Sequence, residues 1–210
     1  MIDVVQQINA VRRQVGKRVL EAGEARTVIV SQSYPATVED MWDACTNPER
    51  IPRWFLPISG ELKLGGHYQL EGNAGGVIER CDAPKSFAAT WEYGGEMSWI
   101  EVRLTDEGER TLFELEHIAL VDDERWAEFG PGAVGVGWDL GLIGLALHLE
   151  GGAARVDPEK VRAWSASDDG KRFITLSSER WGEANVAAGF ADNAAAEAAA
   201  GRTSGFYTGS

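Results

Sequence analysis

The side chains of this 210-residue sequence best suited to proton transfer, metal ligation or nucleophilic attack are three histidines, two cysteines and a scatter of carboxylates. His67, His117 and His148 stand singly, without the clustered spacing that a metal site needs, so neither a metal nor a cofactor is expected. Cys45 and Cys81 form no C-x-x-C pair and read as free thiols of a reducing compartment. No G-x-S-x-G elbow is present to activate a serine, and no catalytic residue is assigned. Gly130-Pro131-Gly132-Ala133-Val134-Gly135 fits G-x-G-x-x-G literally. A dinucleotide fingerprint, however, follows a buried strand within a βαβ unit and has an acidic residue about 20 positions on. Here WAEF precedes it, so these glycines are expected to serve a tight turn and close helix packing.

Alternation along strands is more informative, because successive side chains point to opposite faces. In TLFELEHIAL, Phe113, Leu115 and His117 share one face, and Leu112, Glu114 and Glu116 share a second, wetter one. By the same parity Ile100, Val102 and Leu104 point inward from MSWIEVRLT, Phe87, Ala89 and Trp91 from SFAATWEY, and Tyr68 and Leu70 from GGHYQLEG, while Trp99, Glu101 and Arg103 face outward. His117 is thereby an imidazole on an apolar face, either a hydrogen-bonded core residue or a ligand contact. GGVIERC leaves two readings: Glu79 faces inward, where desolvation would raise its pKa and make it an acid, or it faces out.

These residues need elements to position them. Val4, Ile8, Val11, Val15 and Val19 recur at helical steps and predict an amphipathic helix over residues 1–25, with four basic residues on it for docking onto its own domain or a partner. TVIVSQSY reads as a strand, and Thr37 with Asp40 caps a helix in TVEDMWDACTN. Prolines 48, 52 and 57 confine the next segment to a short helix and turns that end in Trp54 and Phe55. ELKL, GGHYQLEG, GGVIERC, SFAATWEY, MSWIEVRLT and TLFELEHIAL then make a six-strand antiparallel meander joined by short loops. Residues 130–150 are apolar but carry Asp139, His148 and six glycines, which favours a buried helix over a membrane span. Trp138, Leu142, Leu145 and Leu149 share one face of it, and Gly137, Gly141 and Gly144 allow close approach of another backbone. Residues 151–210 read as a helical extension anchored by Trp164, Trp181 and Phe206.

Twenty basic residues against 33 acidic ones give a formal charge of −13, which excludes a nucleic-acid-binding module as a first reading. The N-terminal residues lack the pattern of a signal peptide, and with the free thiols this predicts a cytoplasmic protein.

A strand, two short helices, a meander and one long helix follow the order of the α+β helix-grip fold. TVEDMWDACTNPERIPRWFLP, LGGHYQL, PKSFAATWEY, TLFELEH and GWDLGLIGLALHLE resemble the START-like (SRPBCC) superfamily. Within it they resemble the family homologous to the C-terminal domain of the activator of the 90-kDa heat-shock-protein ATPase. The resemblance covers residues 26–150 and implies an antiparallel sheet wrapped around the long helix, with a cavity between them for a small hydrophobic or amphipathic molecule. Carried over by position, Trp54, Phe55, Tyr68, Trp91, Ile100, His117, Trp138 and Leu142 would line or cap that cavity, joined by Glu79 if it faces in. The resemblance implies three functions. One is binding or carriage of the small molecule; a second is a polyketide-cyclase-like enzyme with a His/Glu pair; the third is a co-chaperone-like interaction module. For the third, the activator's other domain, rich in Asn and Trp, has no counterpart in residues 1–25, which contain no tryptophan. The two appended helical segments offer a contact for a homodimer.

Overall fold

The computed structural model describes residues 3–121, 123–151 and 157–209. Among these residues, eight strands form one antiparallel sheet in the order β1-β2-β8-β7-β6-β5-β4-β3, accompanied by seven helices, which is the expected α+β helix-grip architecture. The chain divides into two compact units. One comprises residues 1–30, 120–140 and 157–210; the other comprises 31–119 and 141–156. Strand β2 (Gly23–Tyr34) and helix α4 (Gly132–Gly151) each run from one unit into the other.

In the first unit the expected N-terminal helix is much shorter than its valine spacing suggested. Helix α1 (Val4–Ala10), capped by Asp3, is followed at once by strand β1 (Arg12–Leu20), which leads into β2. The valines at 11, 15 and 19 are four apart, and a step of four is in phase with a period of two as well as with a helical turn. Only the step from Val4 to Ile8 belongs to a helix, and both residues are buried; Val19 is 88 % exposed. Helix α3 (Asp123–Phe129) precedes Gly130, whose φ of +61° makes the turn into α4, so a helix rather than a strand stands before the glycine motif. Gly135 lies against the Trp181 indole, where any Cβ would collide with the ring.

The C-terminal segment is helical as expected, with α5 (Pro158–Ala166), α6 (Asp168–Ala187) and α7 (Asn193–Thr208); residues 152–156, where the expected extension begins, lie outside the described residues. The alanine-rich α7 buries Ala196, Ala199, Ala200 and Thr203. Trp181 anchors the segment, fully buried, but Phe206 is 73 % exposed. Its neighbour Tyr207 takes that role by donating from its hydroxyl to the Ala133 carbonyl, 2.9 Å away.

In the second unit Thr37 caps helix α2 (Val38–Thr46) by accepting from the Asp40 N–H, and Ile51–Arg53 form a single 3-10 turn. The next strand, β3 (Ile58–Gly60), precedes ELKL, whose residues 61–64 are a turn leading to β4 (His67–Leu70). The later strands are β5 (Gly75–Asp82), β6 (Ser86–Tyr93), β7 (Glu96–Asp106) and β8 (Thr111–Ala119). Among the described residues α4 is the one helix long and apolar enough to cross a membrane by length and composition. The apolar side of its second half is packed within this unit: Leu142 and Leu145 are buried, and Gly144 meets the Trp54 carbonyl, leaving no room for a Cβ.

Candidate functional site

Cross-strand register assembles the inner face of the second unit. Ala89, Ile100 and His117 form one lateral row across β6, β7 and β8; Phe87, Val102 and Leu115 form the next row, and Trp91, Ser98 and Ala119 the row on the other side. Val102, Leu115 and Ala89 are buried, and Ile100 and His117 are 7 % and 6 % exposed, so the expected parity holds on this face. Outward, Arg103 on β7 binds Glu101, Glu114 and Glu116 at 2.7 to 3.1 Å. That second face is less open than alternation alone predicts. β8 is an interior strand, and both Glu116 and Ile118 on it are buried.

His117 sits in this wall with its Nε2 2.9 Å from the Ser98 Oγ, and the Trp91 indole meets its ring edge-on at 6.0 Å between centroids. Ser98 in turn donates its hydroxyl proton to the Trp91 carbonyl, 2.9 Å away. A hydroxyl has one proton to give, so in this arrangement His117 Nε2 carries a proton and donates it to Ser98. Burial pushes the imidazole pKa down from 6.5 to about 4, so His117 is neutral at physiological pH. The pair is therefore not a nucleophile and its base, for which the imidazole would have to accept from the serine. It is a neutral N–H donor fixed in an apolar wall. Ser98 went unnoticed in the sequence, although its place two residues before Ile100 put it on the same inward face.

The other expected lining residues divide. Tyr68 is buried and donates to the Thr90 carbonyl at 2.7 Å, and burial raises its phenol pKa. Trp54 and Phe55 are half-buried rather than exposed: the Trp54 indole N–H donates to the Ala44 carbonyl at 2.9 Å, and Phe55 packs against Gly141 of α4. Leu142 is buried, and its carbonyl accepts from the Tyr34 hydroxyl at 3.4 Å. Trp138, 9 % exposed, belongs to the first unit. Glu79 is exposed and lies at a register shift between Ile78 and Arg80. This bulge interrupts the alternation on which both readings of GGVIERC relied: Ile78 aligns with Ala89 on the inner face, and Arg80 with Ala88 on the outer. Three strand spacings, roughly 14 Å, separate β5 from β8, so Glu79 and His117 do not form an acid–base pair.

Two further polar centres were not foreseen. In the second unit His148 Nε2 accepts from Arg50 at 3.2 Å, and Arg50 is held by Asp40 at 2.6 Å and Asp43 at 2.9 Å. Desolvation, with Arg50 and Arg53 nearby, lowers the His148 pKa. In the first unit Asp139 Oδ2 accepts from Arg13 Nε at 2.8 Å, Ser177 Oγ at 2.5 Å and Trp181 Nε1 at 3.1 Å. Arg13 also donates to the carbonyls of Ile8 and Val11, each at 3.0 Å, and so fastens the end of α1. Among the described residues no group of three metal-ligating side chains stands together.

The model of the family described as Activator of Hsp90 ATPase homolog 1-like protein matches residues 35–150. The chain is 38 % identical to CalU16 from Micromonospora echinospora in its crystal structure, over 80 % of this chain and 98 % of that one, with a TM-score of 0.59. The solution structure of CalU16 aligns at 37 % identity over 87 % of this chain and 97 % of that one, with a TM-score of 0.69. A crystal structure of an HSP90 activator from Plasmodium falciparum shares the fold at 16 % identity and a TM-score of 0.51, over 62 % of this chain and 99 % of that one. No curated protein sequence matches the chain.

Proposed function

The chain belongs to the family of Activator of Hsp90 ATPase homolog 1-like proteins, of START-like fold, and from that premise we propose that it binds or carries a small hydrophobic or amphipathic molecule in the cytoplasm. The observation that carries this reading is the neutral, hydrogen-bonded pair of His117 and Ser98 set within an inner face of Ala89, Ile100, Val102 and Leu115. Binding sites for such molecules are mostly apolar surfaces with a few fixed polar groups that set orientation. The neutral His117–Ser98 pair, flanked by Trp91, supplies the polar group and suits an uncharged hydroxyl on the ligand.

Proton-transfer chemistry has less support. An imidazole with a pKa of about 4 is a weak base near neutral pH, and the carboxylate that would complete a His/Glu pair is exposed on a distant strand.

The test is native mass spectrometry of the protein purified from its own cells, followed by denaturing extraction. One apolar compound at near-stoichiometric level is the expected result, with about tenfold weaker retention in His117→Ala, the size of one lost hydrogen bond to a buried ligand. A protein that returns empty and co-purifies with another polypeptide would replace this reading with the interaction module.

A further inference from the structure

A second concave site lies on the opposite, outer face of the sheet, near its β3 edge. Register places Ser59 of β3, Gln69 of β4, Gly75 of β5 and Glu92 of β6 in one lateral row, each opposite the next. Alternation puts all four on the face away from Tyr68 and Leu70. The row has a side chain at every position except Gly75, which the Gln69 side chain covers, and these residues with His67 line a pocket of about 470 Å³.

The chemistry of this pocket is one-sided. A Cβ placed at Gly75 would stand 2.5 Å from Gln69 Oε1, so the Gln69 amide oxygen lies over the glycine. Both Gln69 amide protons are turned away, to the carbonyls of Leu70 and Asn73 at 2.8 Å each, which fixes the oxygen as the group facing Gly75. Glu92 adds a carboxylate whose Oε1 accepts from the Thr90 hydroxyl at 3.1 Å, and that hydroxyl accepts from the Val77 N–H at 2.8 Å. The carboxylate is thus oriented by a chain of bonds to the backbone. Among the described residues no lysine or arginine lines the pocket. A fixed amide oxygen and an oriented carboxylate match a donor that is positively charged, and the surplus of acidic residues on the chain draws cations toward it.

We propose that this outer-face pocket binds a small organic amine in its ammonium form, seated against Gln69 Oε1 with its charge on Glu92. The site is independent of the inner face, and neither stands or falls with the other. It is open on one side, so the titration is carried into the millimolar range.

The test is two-dimensional amide NMR on the full chain, titrated with phenethylamine and, separately, with 3-phenylpropionate as an anion of similar size. Saturable shifts of the Gln69, Gly75, Gly76 and Glu92 amides with the amine alone are expected. Glu92→Gln, which keeps the shape and the Thr90 bond, should weaken binding about fivefold or more, roughly 1 kcal/mol. Its spectrum reports directly that it is folded. Absence of saturable shifts at these amides up to about 20 mM amine, equal shifts with the anion, or unchanged affinity in Glu92→Gln would each overturn the proposal.

Discussion

Two buried polar centres, Asp139 in the first unit and His117 in the second, are held by opposite means. Asp139 in the first unit is fully buried; three donors crowd onto a single carboxylate oxygen, one of them the Arg13 guanidinium. Burial pushes its carboxyl pKa up, while Arg13, Ser177 and Trp181 act to keep it charged. His117 in the second unit is buried to a similar degree but carries no charge, and its fixed N–H rests on a serine. A buried ion pair with several partners ties elements together, and breaking it leaves an uncompensated charge. A neutral hydrogen-bonded pair in an apolar wall costs less to desolvate than a charge and suits an uncharged ligand. Burial of a polar residue therefore does not by itself mark a functional site; the charge and the number of partners tell the two cases apart.

The largest effect should come from breaking the charged centre. Asp139→Ala leaves the Arg13 charge buried without its counter-ion and is expected to lower stability by about 3–5 kcal/mol in a denaturant titration, with Arg13→Met plus Asp139→Leu recovering most of the loss. A single-variant cost below about 1 kcal/mol would mean the pair does not hold the first unit together. Next comes the neutral centre, read through pH. The folded pKa of His117 is lowered to about 4 against 6.5 for the free side chain, so the unfolded chain takes up its proton first. Its contribution is complete above pH 6.5 and is lost as pH falls toward 4, by about 3 kcal/mol at most. His117→Gln should flatten that part of the stability profile, and an unchanged slope would contradict the buried neutral assignment.

Gly144→Ala tests the packing behind the inner face. A methyl group there meets the Trp54 carbonyl, and a loss of about 1–3 kcal/mol is expected from the thermal midpoint. Phe206→Ser should change stability by less than about 0.5 kcal/mol, since the ring is 73 % exposed; a larger effect would show that α7 relies on it after all.

Much of the fold was legible because the two periodicities are unambiguous where apolar residues are dense. SFAATWEY, MSWIEVRLT and TLFELEHIAL alternate cleanly, and the register pairs them row for row. Errors arose where the two periods coincide or the count is broken. The valines at 11, 15 and 19 satisfy a helix and a strand alike, and the bulge near Glu79 resets the alternation without leaving a mark in composition. In the candidate site, His117 and Ile100 were legible from parity, whereas the ion pair of Arg13 with Asp139 joins residues 126 apart in sequence, which no local pattern encodes. The outer-face pocket depends on which residues of four strands stand in one row, and register across β3, β4 and β5 is set by turns that the sequence defines only loosely.

The state of His117 decides most directly whether the inner face holds a neutral donor. Long-range nitrogen-15 NMR of its imidazole between pH 3.5 and 8 distinguishes the two ring nitrogens and follows the proton. A neutral ring protonated on Nε2 down to about pH 4 is the expected result. A ring that titrates near 6.5, or one that carries its proton on Nδ1 and accepts from Ser98, would contradict it and make His117 a base.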